Sequence, residues 1–321
     1  MTSKSRMPTA VKPMLSTLVK EPFDSNDWIY ELKWDGYRAL AEIKDGKTHL
    51  YSRNFQSFDS RFHPLLEELN RIPGEALIDG EVVVIDKEGK PSFQLMQNYG
   101  STQEGMLVYY VFDLLYLNGY DIRALPLLQR KELLKAFLPK LPHVKFCPYI
   151  IGKGIDYFKE AAKRGFEGIM AKKAESSYHS IRSKDWLKIK TNMRQEAIIC
   201  GYTAPKGGRK GFGALVLGVY ENGDLVYIGH TGSGFNEKSL KSIYEQLQPY
   251  VQNDCPFTNR PKLKNKTTWV KPKIVCEVKF AEWTNTGIIR QGIFMGLRDD
   301  KKSKNVIREP ILPTKKAVKV A

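Results

Sequence analysis

The chain has 321 residues, 42% of them hydrophobic and 27% charged, a balance typical of folded globular proteins and not of disordered ones. Lysine and arginine number 51 against 35 acidic residues, and the resulting net charge of +16 favours a polyanionic partner, most commonly nucleic acid. The dispersed cysteines and histidines argue against a zinc site, and the absence of a long apolar span or basic amphipathic helix argues against a membrane partner.

The first 190 residues alternate strand-like and helical patterns. Strands rich in β-branched and aromatic residues are predicted in RALAEIKDGKTHLYSR, EALIDGEVVVID, MLVYYVFDLLYL, FEGIMAKK and DWLKIK. The first of these contains Asp45-Gly46, which predicts a hairpin with a type I′ turn. Apolar residues three and four apart predict helices in SRFHPLLEELNRI, LLQRKELLKAFLPKL and IDYFKEAAKRG.

The pattern changes after KTNMRQ, and a domain boundary is predicted near residues 191–196. Short strands follow in EAIICGYTA, GALVLGVYENGDLVYIGHTG and KIVCEVKFAEW, with a hairpin at Asn222-Gly223 and one helix in NEKSLKSIYEQLQPYV. Several short strands, one helix and many glycines favour a small barrel such as an OB-fold. The tail PTKKAVKVA is expected to be frayed.

Lys33 stands in the strand-like stretch YELKWDGYRAL, within six residues of a carboxylate, a glycine and Arg38. A lysine amine is a nucleophile only after losing its proton, and neighbouring cations lower its pKa. Lys188 and Lys190, two apart in WLKIK, share a strand face and would form a cationic wall suited to a phosphate. The same fragments alone also fit a turn and an edge strand with solvated lysines.

Acidic residues lie at strand positions otherwise occupied by apolar ones. Asp79 and Glu81 in LIDGEVVVID point to one side of a strand, and Glu167 opens FEGIMAKK. Because burying an unpaired carboxylate is costly, these acids form buried salt bridges or hold Mg²⁺ at a nucleotide phosphate. Phe112 in YVFDLLY fits either a core position or an aromatic that stacks on a purine.

The order and spacing of these fragments resemble the motifs of the covalent nucleotidyltransferases. In chain order, they are similar to motif I (KxDGxR) at Lys33–Arg38, Ia at Ser52–Asn54, III at Asp79–Glu81, IIIa in VFDLLY, IV (EGxxxK) at Glu167–Lys172, V at Lys188–Lys190 and VI (RxDK) in LRDDK at Leu297–Lys301. The chain resembles ATP-dependent DNA ligases most, in particular the ligase component of bacterial LigD-type end-joining enzymes and their small stand-alone relatives.

This resemblance implies an α+β fold, with a nucleotidyltransferase domain of antiparallel sheets flanked by helices over residues 1–192 and a C-terminal OB-fold β-barrel domain over 193–321. It implies sealing of nicks or broken ends in duplex DNA in three steps: lysine adenylation by ATP, AMP transfer to the 5′-phosphate, and attack by the 3′-hydroxyl. Because only about 30 residues precede Lys33, the helical DNA-binding domain of large ligases and the nicotinamide-binding domain of NAD⁺-dependent ligases are expected to be absent, which favours ATP.

The resemblance also implies a role for each matching residue. Lys33 would be the nucleophile, Glu31 would contact the adenine edge and Phe112 would stack on the base. Arg38 and Arg53 would contact ribose and phosphate, and Glu81 and Glu167 would contact metal or ribose. Lys188 and Lys190 would contact the α-phosphate, and Arg298 and Lys301 would contact the pyrophosphate.

The sequence departs from the family pattern at two of these motifs. Phe55 follows Asn54 where many relatives have glycine, which affects the backbone around Arg53. Strict strand alternation would place Glu167 and Lys172 on opposite faces, so without a bulge Lys172 is not expected to contact the nucleotide.

Two other classes of function stay open. An RNA ligase or an mRNA capping guanylyltransferase would share the same motifs, and a non-catalytic OB-fold protein would bind nucleic acid without covalent chemistry. The ligase reading implies ATP and Mg²⁺ (or Mn²⁺) as cofactors, nicked or broken duplex DNA as substrate and a Ku-like end-binding protein as a further partner. It also implies a monomer without membrane contact, located in the cytoplasm and associated with the nucleoid if the source is bacterial.

Overall fold

The structure is a computed structural model that describes residues 4–205, 210–258, 260–263 and 265–318. The chain divides into two compact units, of which unit 1 comprises Met1–Thr191 with Pro310–Ala321 and unit 2 comprises Asn192–Glu309. Over the described ranges, no helix combines the length and apolarity that crossing a membrane requires.

Unit 1 consists of mixed sheets and short helices. Its elements before residue 192 are, in chain order, β1 (Leu15–Leu18), β2 (Ser25–Leu32), β3 (Tyr37–Lys44), β4 (Lys47–Ser52), α1 (His63–Leu69), β5 (Ala76–Ile85), α2 (Phe93–Thr102), β6 (Met106–Leu117), β7 (Tyr120–Asp121), α3 (Leu127–Phe137), β8 (Val144–Phe146), β9 (Tyr149–Gly152), α4 (Gly154–Lys163), β10 (Gly168–Lys173) and β11 (Arg182–Lys190).

Two sheets make up the core of unit 1. The first has the strand order β1-β11-β10-β2-β9, and the second has the order β4-β3-β5-β6-β7 with β8 added beside β6. Helices α1, α2 and α3 bury apolar side chains against the second sheet. The predicted antiparallel sheets flanked by helices are therefore confirmed, with the qualification that the β1–β11 and β6–β8 pairs are parallel.

Local sequence explains the β3–β4 hairpin but not α2. Asp45 and Gly46 have φ angles of 51° and 68°, as the predicted type I′ turn requires. Helix α2 was not predicted, because its sequence FQLMQNYGST combines few strong helix formers with a glycine and β-branched threonine. It forms because Phe93, Met96 and Tyr99 fall on one face and bury against the sheet.

Unit 2 is built mainly from strands. Its elements are β12 (Met193–Thr203), β13 (Leu215–Glu221), β14 (Asp224–Thr231), α5 (Glu237–Leu247), β15 (Val251–Gln252), β16 (Thr267–Val270), β17 (Val275–Phe280), β18 (Glu282–Trp283), β19 (Ile289–Arg290) and β20 (Ile293–Leu297), with short 3₁₀ turns at Gln248–Tyr250 and Ser303–Asn305.

The strands of unit 2 close into a barrel. The long β12 pairs with β17 along its first half and with β13 and β16 along its second half. Strand β13 continues to β14, and β17 continues to β20. The Phe294 N–H donates to the Ser233 carbonyl at 2.9 Å, which joins the end of β14 to β20 and completes the ring. The predicted C-terminal OB-fold barrel is therefore confirmed.

The C-terminal segment packs on unit 1 and is not frayed over residues 310–318. The Leu312 N–H donates to the Leu18 carbonyl at 3.0 Å, so the segment extends the edge of the first sheet beside β1. The chain then forms α6 (Thr314–Val318), whose Thr314 hydroxyl donates to the Glu21 carbonyl at 2.8 Å. Ala317 is 4% exposed and joins the core beneath the sheet.

This docking changes the predicted domain layout as well as the predicted tail. The sequence pattern assigned residues 193–321 to one C-terminal domain, whereas residues 310–318 pack on unit 1. Local sequence gives no signal for this return, because Lys315 and Lys316 are exposed and the contact is made by Leu312, Ala317 and Val318.

A charge placed at Ala317 should undock the C-terminal segment. Ala317→Glu is expected to lose about 1–2 kcal/mol of apolar burial, which corresponds to a fall in Tm of about 2–8 °C for a domain of this size. The matched control is Lys316→Glu, which puts the same side chain on the exposed neighbouring position. Thermal unfolding followed by circular dichroism measures both, and equal Tm values for the two variants would contradict the docking.

Candidate active site

Lys33 lies in a row of residues that crosses three strands of the first sheet. It directly follows β2, and its backbone N–H donates to the Gly168 carbonyl at 2.9 Å. Gly168 in β10 is in turn in register with Lys190 in β11. A Cβ at position 168 would lie 2.0 Å from the Ile189 carbonyl oxygen, so only glycine allows the strands to approach this closely.

Four predicted site residues share one face of this sheet. Met170 in β10 is in register with Glu31 in β2 and with Lys188 in β11. This row lies two residues along β10 from Gly168, whose row contains Lys33 and Lys190. Side chains alternate between the two faces along a strand, and residues in register on neighbouring strands point to the same face. Four side chains therefore project to one side of the sheet: Glu31, Lys33, Lys188 and Lys190. The opposite face carries apolar residues such as Ile169 and packs into the core.

The Lys33 amine is held by carboxylates rather than surrounded by cations. Its Nζ forms an ion pair with Glu167 Oε2, and the two side chains are 20% and 5% exposed. Burial lowers the pKa of Lys33, but the negative charges of Glu167, Glu81 and Asp35 outweigh burial and raise this pKa above its usual value. The expectation that neighbouring cations lower the pKa of Lys33 is therefore wrong for this state of the protein.

Asp79 and Glu81 have different environments although they point to the same side of β5. Asp79 is fully buried, accepts hydrogen bonds from Arg38 Nε and Nη2 at 2.5 Å each, and accepts the Tyr178 hydroxyl at 2.6 Å. Glu81 is half-buried, is in register with Arg38, and its charge acts on Lys33. Asp79 is thus a structural salt-bridge partner, and Glu81 is the acid of this pair whose charge acts on the Lys33 amine.

Phe112 is covered by two cations and is 7% exposed. The Arg38 guanidinium carbon lies 4.5 Å from the centroid of the Phe112 ring, and Lys172 Nζ lies 4.0 Å from it. The predicted stacking of this ring on adenine stays a prediction. The sequence argument counted strand alternation from Glu167 and so placed Lys172 on the opposite face. Because β10 begins at Gly168, the alternation does not extend back to Glu167, and that argument does not apply to Lys172.

Glu31 is the centre of a buried charge cluster. Its Oε1 accepts a hydrogen bond from Lys131 Nζ at 2.5 Å, and its Oε2 forms an ion pair with Lys172 Nζ at 2.6 Å. All three side chains are at most 2% exposed. Burial alone would raise the pKa of the Glu31 carboxyl, but the two ammonium groups reverse this and lower it.

Lys131 and Arg130 were not identified from the sequence, although α3 contains a signal for them. The buried positions of the helix are Leu127, Arg130, Lys131 and Leu134, a spacing of i, i+3, i+4 and i+7. This is the spacing of a core-facing helical stripe, and two of its four positions carry cations. A charged residue on such a stripe indicates a buried partner, which for Arg130 is Asp113 at 2.8 Å.

The turn after β4 keeps the backbone conformation for which glycine is usually chosen. Arg53 is half-buried in this turn. Phe55 has φ of 61°, in the left-handed region, and its side chain is 42% exposed. The phenylalanine in SRNF therefore adopts a left-handed backbone conformation that bulky side chains rarely take.

Arg298 and Lys301 belong to unit 2 and form ion pairs within that unit. The Arg298 guanidinium donates to Glu277 Oε2 at 2.8 Å and to Asp300 Oδ1 at 2.8 Å. Lys301 Nζ lies 2.9 Å from Glu196 Oε1. Burial opposes the charge of Arg298, but these carboxylates outweigh it and raise the pKa of the guanidinium.

Two family models match the chain. The model of the ATP dependent DNA ligase domain matches residues 12–190, and that of the ATP dependent DNA ligase C terminal region matches residues 208–301. The first of these matches covers more than half of the 321 residues.

Curated relatives and a solved structure agree with these matches. The chain is 40% identical to the multifunctional non-homologous end joining protein LigD of Pseudomonas aeruginosa, over 95% of this chain and 37% of that protein. It is 38% identical to the SPbeta prophage-derived DNA ligase-like protein LigB of Bacillus subtilis, over 87% of this chain and 96% of that protein. A structure of mycobacterial DNA ligase D complexed with ATP and MES superposes with a TM-score of 0.70 at 33% identity, covering 93% of this chain and 98% of that chain.

The chain spans about two fifths of the length of the LigD relatives and nearly all of the Bacillus subtilis relative. The matched segments include the sheet that carries Lys33 and, apart from β12, the strands of the barrel that carries Arg298. By its sequence and by its fold, the chain belongs to the family of ATP-dependent DNA ligases.

Proposed function

We propose that this chain seals nicks or broken ends in duplex DNA through a lysyl-AMP intermediate on Lys33. The observation that carries the proposal is the position of the Lys33 amine, which projects from the first sheet on the face of Lys188 and Lys190 and contacts Glu167. One amine, nearby carboxylates and a row of lysines suit nucleophilic attack on a phosphate ester, because such transfers depend mainly on positioning and charge neutralisation.

In the first step, Lys33 Nζ forms a bond to the α-phosphorus of ATP. The bond from that phosphorus to the bridging oxygen breaks, and pyrophosphate leaves with its electron pair. The amine proton passes to solvent. An oxygen of the DNA 5′-phosphate then bonds to the phosphorus of AMP, the bond from that phosphorus to Lys33 Nζ breaks, and the amine regains a proton. In the last step the 3′-hydroxyl loses its proton, bonds to the 5′-phosphorus and displaces AMP, which forms the phosphodiester. Dividing the reaction into three transfers replaces one difficult step with easier ones.

The other roles are those that the resemblance to the family's motifs implies. Lys188 and Lys190 would hold the α-phosphate, Arg38 and Arg53 the ribose and phosphate, and Glu31 and Phe112 the base. Arg298 and Lys301 of unit 2 would orient the pyrophosphate. Since Arg38 pairs with Asp79, its guanidinium is held in place by the fold itself.

Glu81 and Glu167 fit a divalent metal ion such as Mg²⁺ or Mn²⁺. Both are carboxylates whose charges act on the Lys33 amine, and hard oxygen ligands are those that Mg²⁺ prefers. Within the described ranges no cluster of three or more His, Cys, Asp or Glu residues forms a complete metal site. One or two carboxylates together with substrate phosphates commonly hold Mg²⁺, and a bound ion would neutralise phosphate charge.

A covalent labelling assay tests this function. The protein is incubated with Mg²⁺ and ATP or GTP labelled at the α-phosphate, denatured, and examined for label that stays on the protein. We expect an adduct with ATP only, and transfer of its label to the 5′ end at a nick in duplex DNA. No adduct with either nucleotide would indicate an OB-fold nucleic-acid binder, and a GTP adduct would indicate a capping-type guanylyltransferase.

The same assay separates DNA from RNA substrates. Nicked duplexes with DNA or RNA on the 3′-hydroxyl side are supplied to the labelled protein, and sealed product is measured for each. We expect sealing of nicked DNA. The LigD relatives are named for non-homologous end joining, which supports a role at broken ends. The proposal includes a Ku-like end-binding protein as a further partner, and addition of purified Ku to linear DNA tests that partner directly.

DNA binding should depend strongly on salt. Because phosphate contacts release counterions, raising the salt concentration from about 50 to about 200 mM is expected to weaken binding to a nicked duplex by about 10³-fold. The net charge of +16 motivates this expectation. Fluorescence anisotropy measures the affinity, and ATP binding under the same conditions is the control. A flat salt response would show that the basic excess faces something other than DNA.

A further inference from the structure

Lys131 is a fully buried cation that none of the motifs includes. It lies on the core-facing stripe of α3, and its side chain is 0% exposed. Its Nζ donates to Glu31 Oε1 at 2.5 Å and to the Phe112 carbonyl at 3.2 Å. The rings of Phe146 and Tyr149 lie 4.9 and 5.0 Å from the same nitrogen.

These contacts join the two residues proposed to recognise the base. Glu31 belongs to β2 in the first sheet, and Phe112 belongs to β6 in the second sheet. Because Lys131 Nζ bonds to both, it fixes the position of the Glu31 carboxylate relative to the Phe112 backbone. The second oxygen of Glu31 faces Lys172, so the carboxylate has a defined orientation with one oxygen for each ammonium group.

Stability alone is a poor explanation for a lysine at this position. The stripe that contains Lys131 begins and ends with leucine, and replacing buried ion pairs with well-packed apolar residues is often neutral or stabilising. The cluster also has two ammonium groups for one carboxylate, and the surplus positive charge is accommodated against aromatic rings. Such a costly arrangement is explained if it orients a group that contacts a ligand.

We propose that Lys131 is a positioning residue for nucleotide recognition, which holds Glu31 and the Phe112 segment in the geometry that selects adenine. The proposal rests on the proposed function, because the base site it describes belongs to the ATP-binding step. Lys131 acts through Glu31 and does not itself contact the nucleotide.

The test is Lys131→Met, which keeps the length of the side chain but removes the charge and the donor. We expect the KM for ATP in lysine adenylation to rise about tenfold, the lower end of what loss of an orienting partner costs. The rate at saturating ATP should stay within about threefold, since Lys33 and Glu167 are unchanged. The preference for ATP over GTP, measured as the ratio of kcat/KM values, should fall.

Arg130→Met is the matched control. Arg130 is the adjacent residue on the same helical stripe and is equally buried, but its guanidinium binds Asp113 and the Ser176 carbonyl and not Glu31. This variant is expected to lower Tm and leave the KM for ATP unchanged. If Lys131→Met does not fold, Lys131→Gln, whose amide still donates a hydrogen bond, takes its place and should show a smaller rise in KM.

The outcomes separate this inference from the ligase function. An unchanged KM and nucleotide preference in the folded Lys131 variant would overturn the positioning role while wild-type adduct formation upheld the ligase. An equal rise in KM in Arg130→Met would also overturn it, because it would show a general effect of lost stability. Absence of an adduct in the wild-type protein would overturn the ligase function itself.

Discussion

Replacing Lys33 with alanine is expected to abolish the covalent adduct formed from ATP. The amine is the only group in the proposed chemistry that bonds to phosphorus in the first step, so adenylation should fall by at least about 10³-fold. Retention of label after denaturation measures this directly. Sealing of a nick whose 5′-phosphate already carries AMP should persist, because that step does not require the amine.

Two further variants make the result specific. Lys33→Arg keeps a positive charge that can pair with Glu167 but replaces the amine with a guanidinium, which stays protonated, and it is expected to be as inactive as alanine. Lys159→Ala removes a lysine that is 71% exposed on α4 and should retain full activity. An adduct that survives in both Lys33 variants would place the nucleophile elsewhere.

Glu167→Gln is expected to slow adenylation by about 10²-fold, which is the usual effect of removing one electrostatic partner from a transition state. The carboxylate positions the Lys33 amine and is proposed to serve the metal ion, and an amide of the same shape does neither well. Single-turnover label incorporation at saturating ATP and Mg²⁺ measures the rate. Glu160→Gln on the exposed face of α4 is the matched control and should match the wild type.

The pH dependence should change in a defined direction in the same variant. In the wild type the pKa of Lys33 is raised, so the uncharged fraction and the adenylation rate should increase about tenfold per pH unit across the neutral range. Without the Glu167 charge, the pKa of Lys33 should fall relative to the wild type, because burial is then opposed only by the charges of Glu81 and Asp35. The rise should then level off at lower pH, and superimposable profiles for the two proteins would contradict this assignment.

Sequence order predicted most of the candidate site because the relevant residues occur in short motifs on strands. Lys188 and Lys190 could be placed on one strand face from alternation alone, and the register between β2, β10 and β11 brings Lys33 to the same face. The hairpins and most helices followed from turn residues and apolar spacing. The family resemblance then supplied a chemical role for each residue, which spacing could not do.

The sequence by itself determined which groups are available: an amine, two acids, a cationic row and a barrel domain. The tertiary structure decided their electrostatic state. Lys33 proved to face Glu167, which lies 134 positions away in the chain, and its pKa is raised because the charges of Glu167, Glu81 and Asp35 outweigh burial. The same kind of long-range contact brings Lys131 to Glu31 across 100 residues and Leu312 back to Val19 at the edge of the first sheet, and no local pattern encodes such distances.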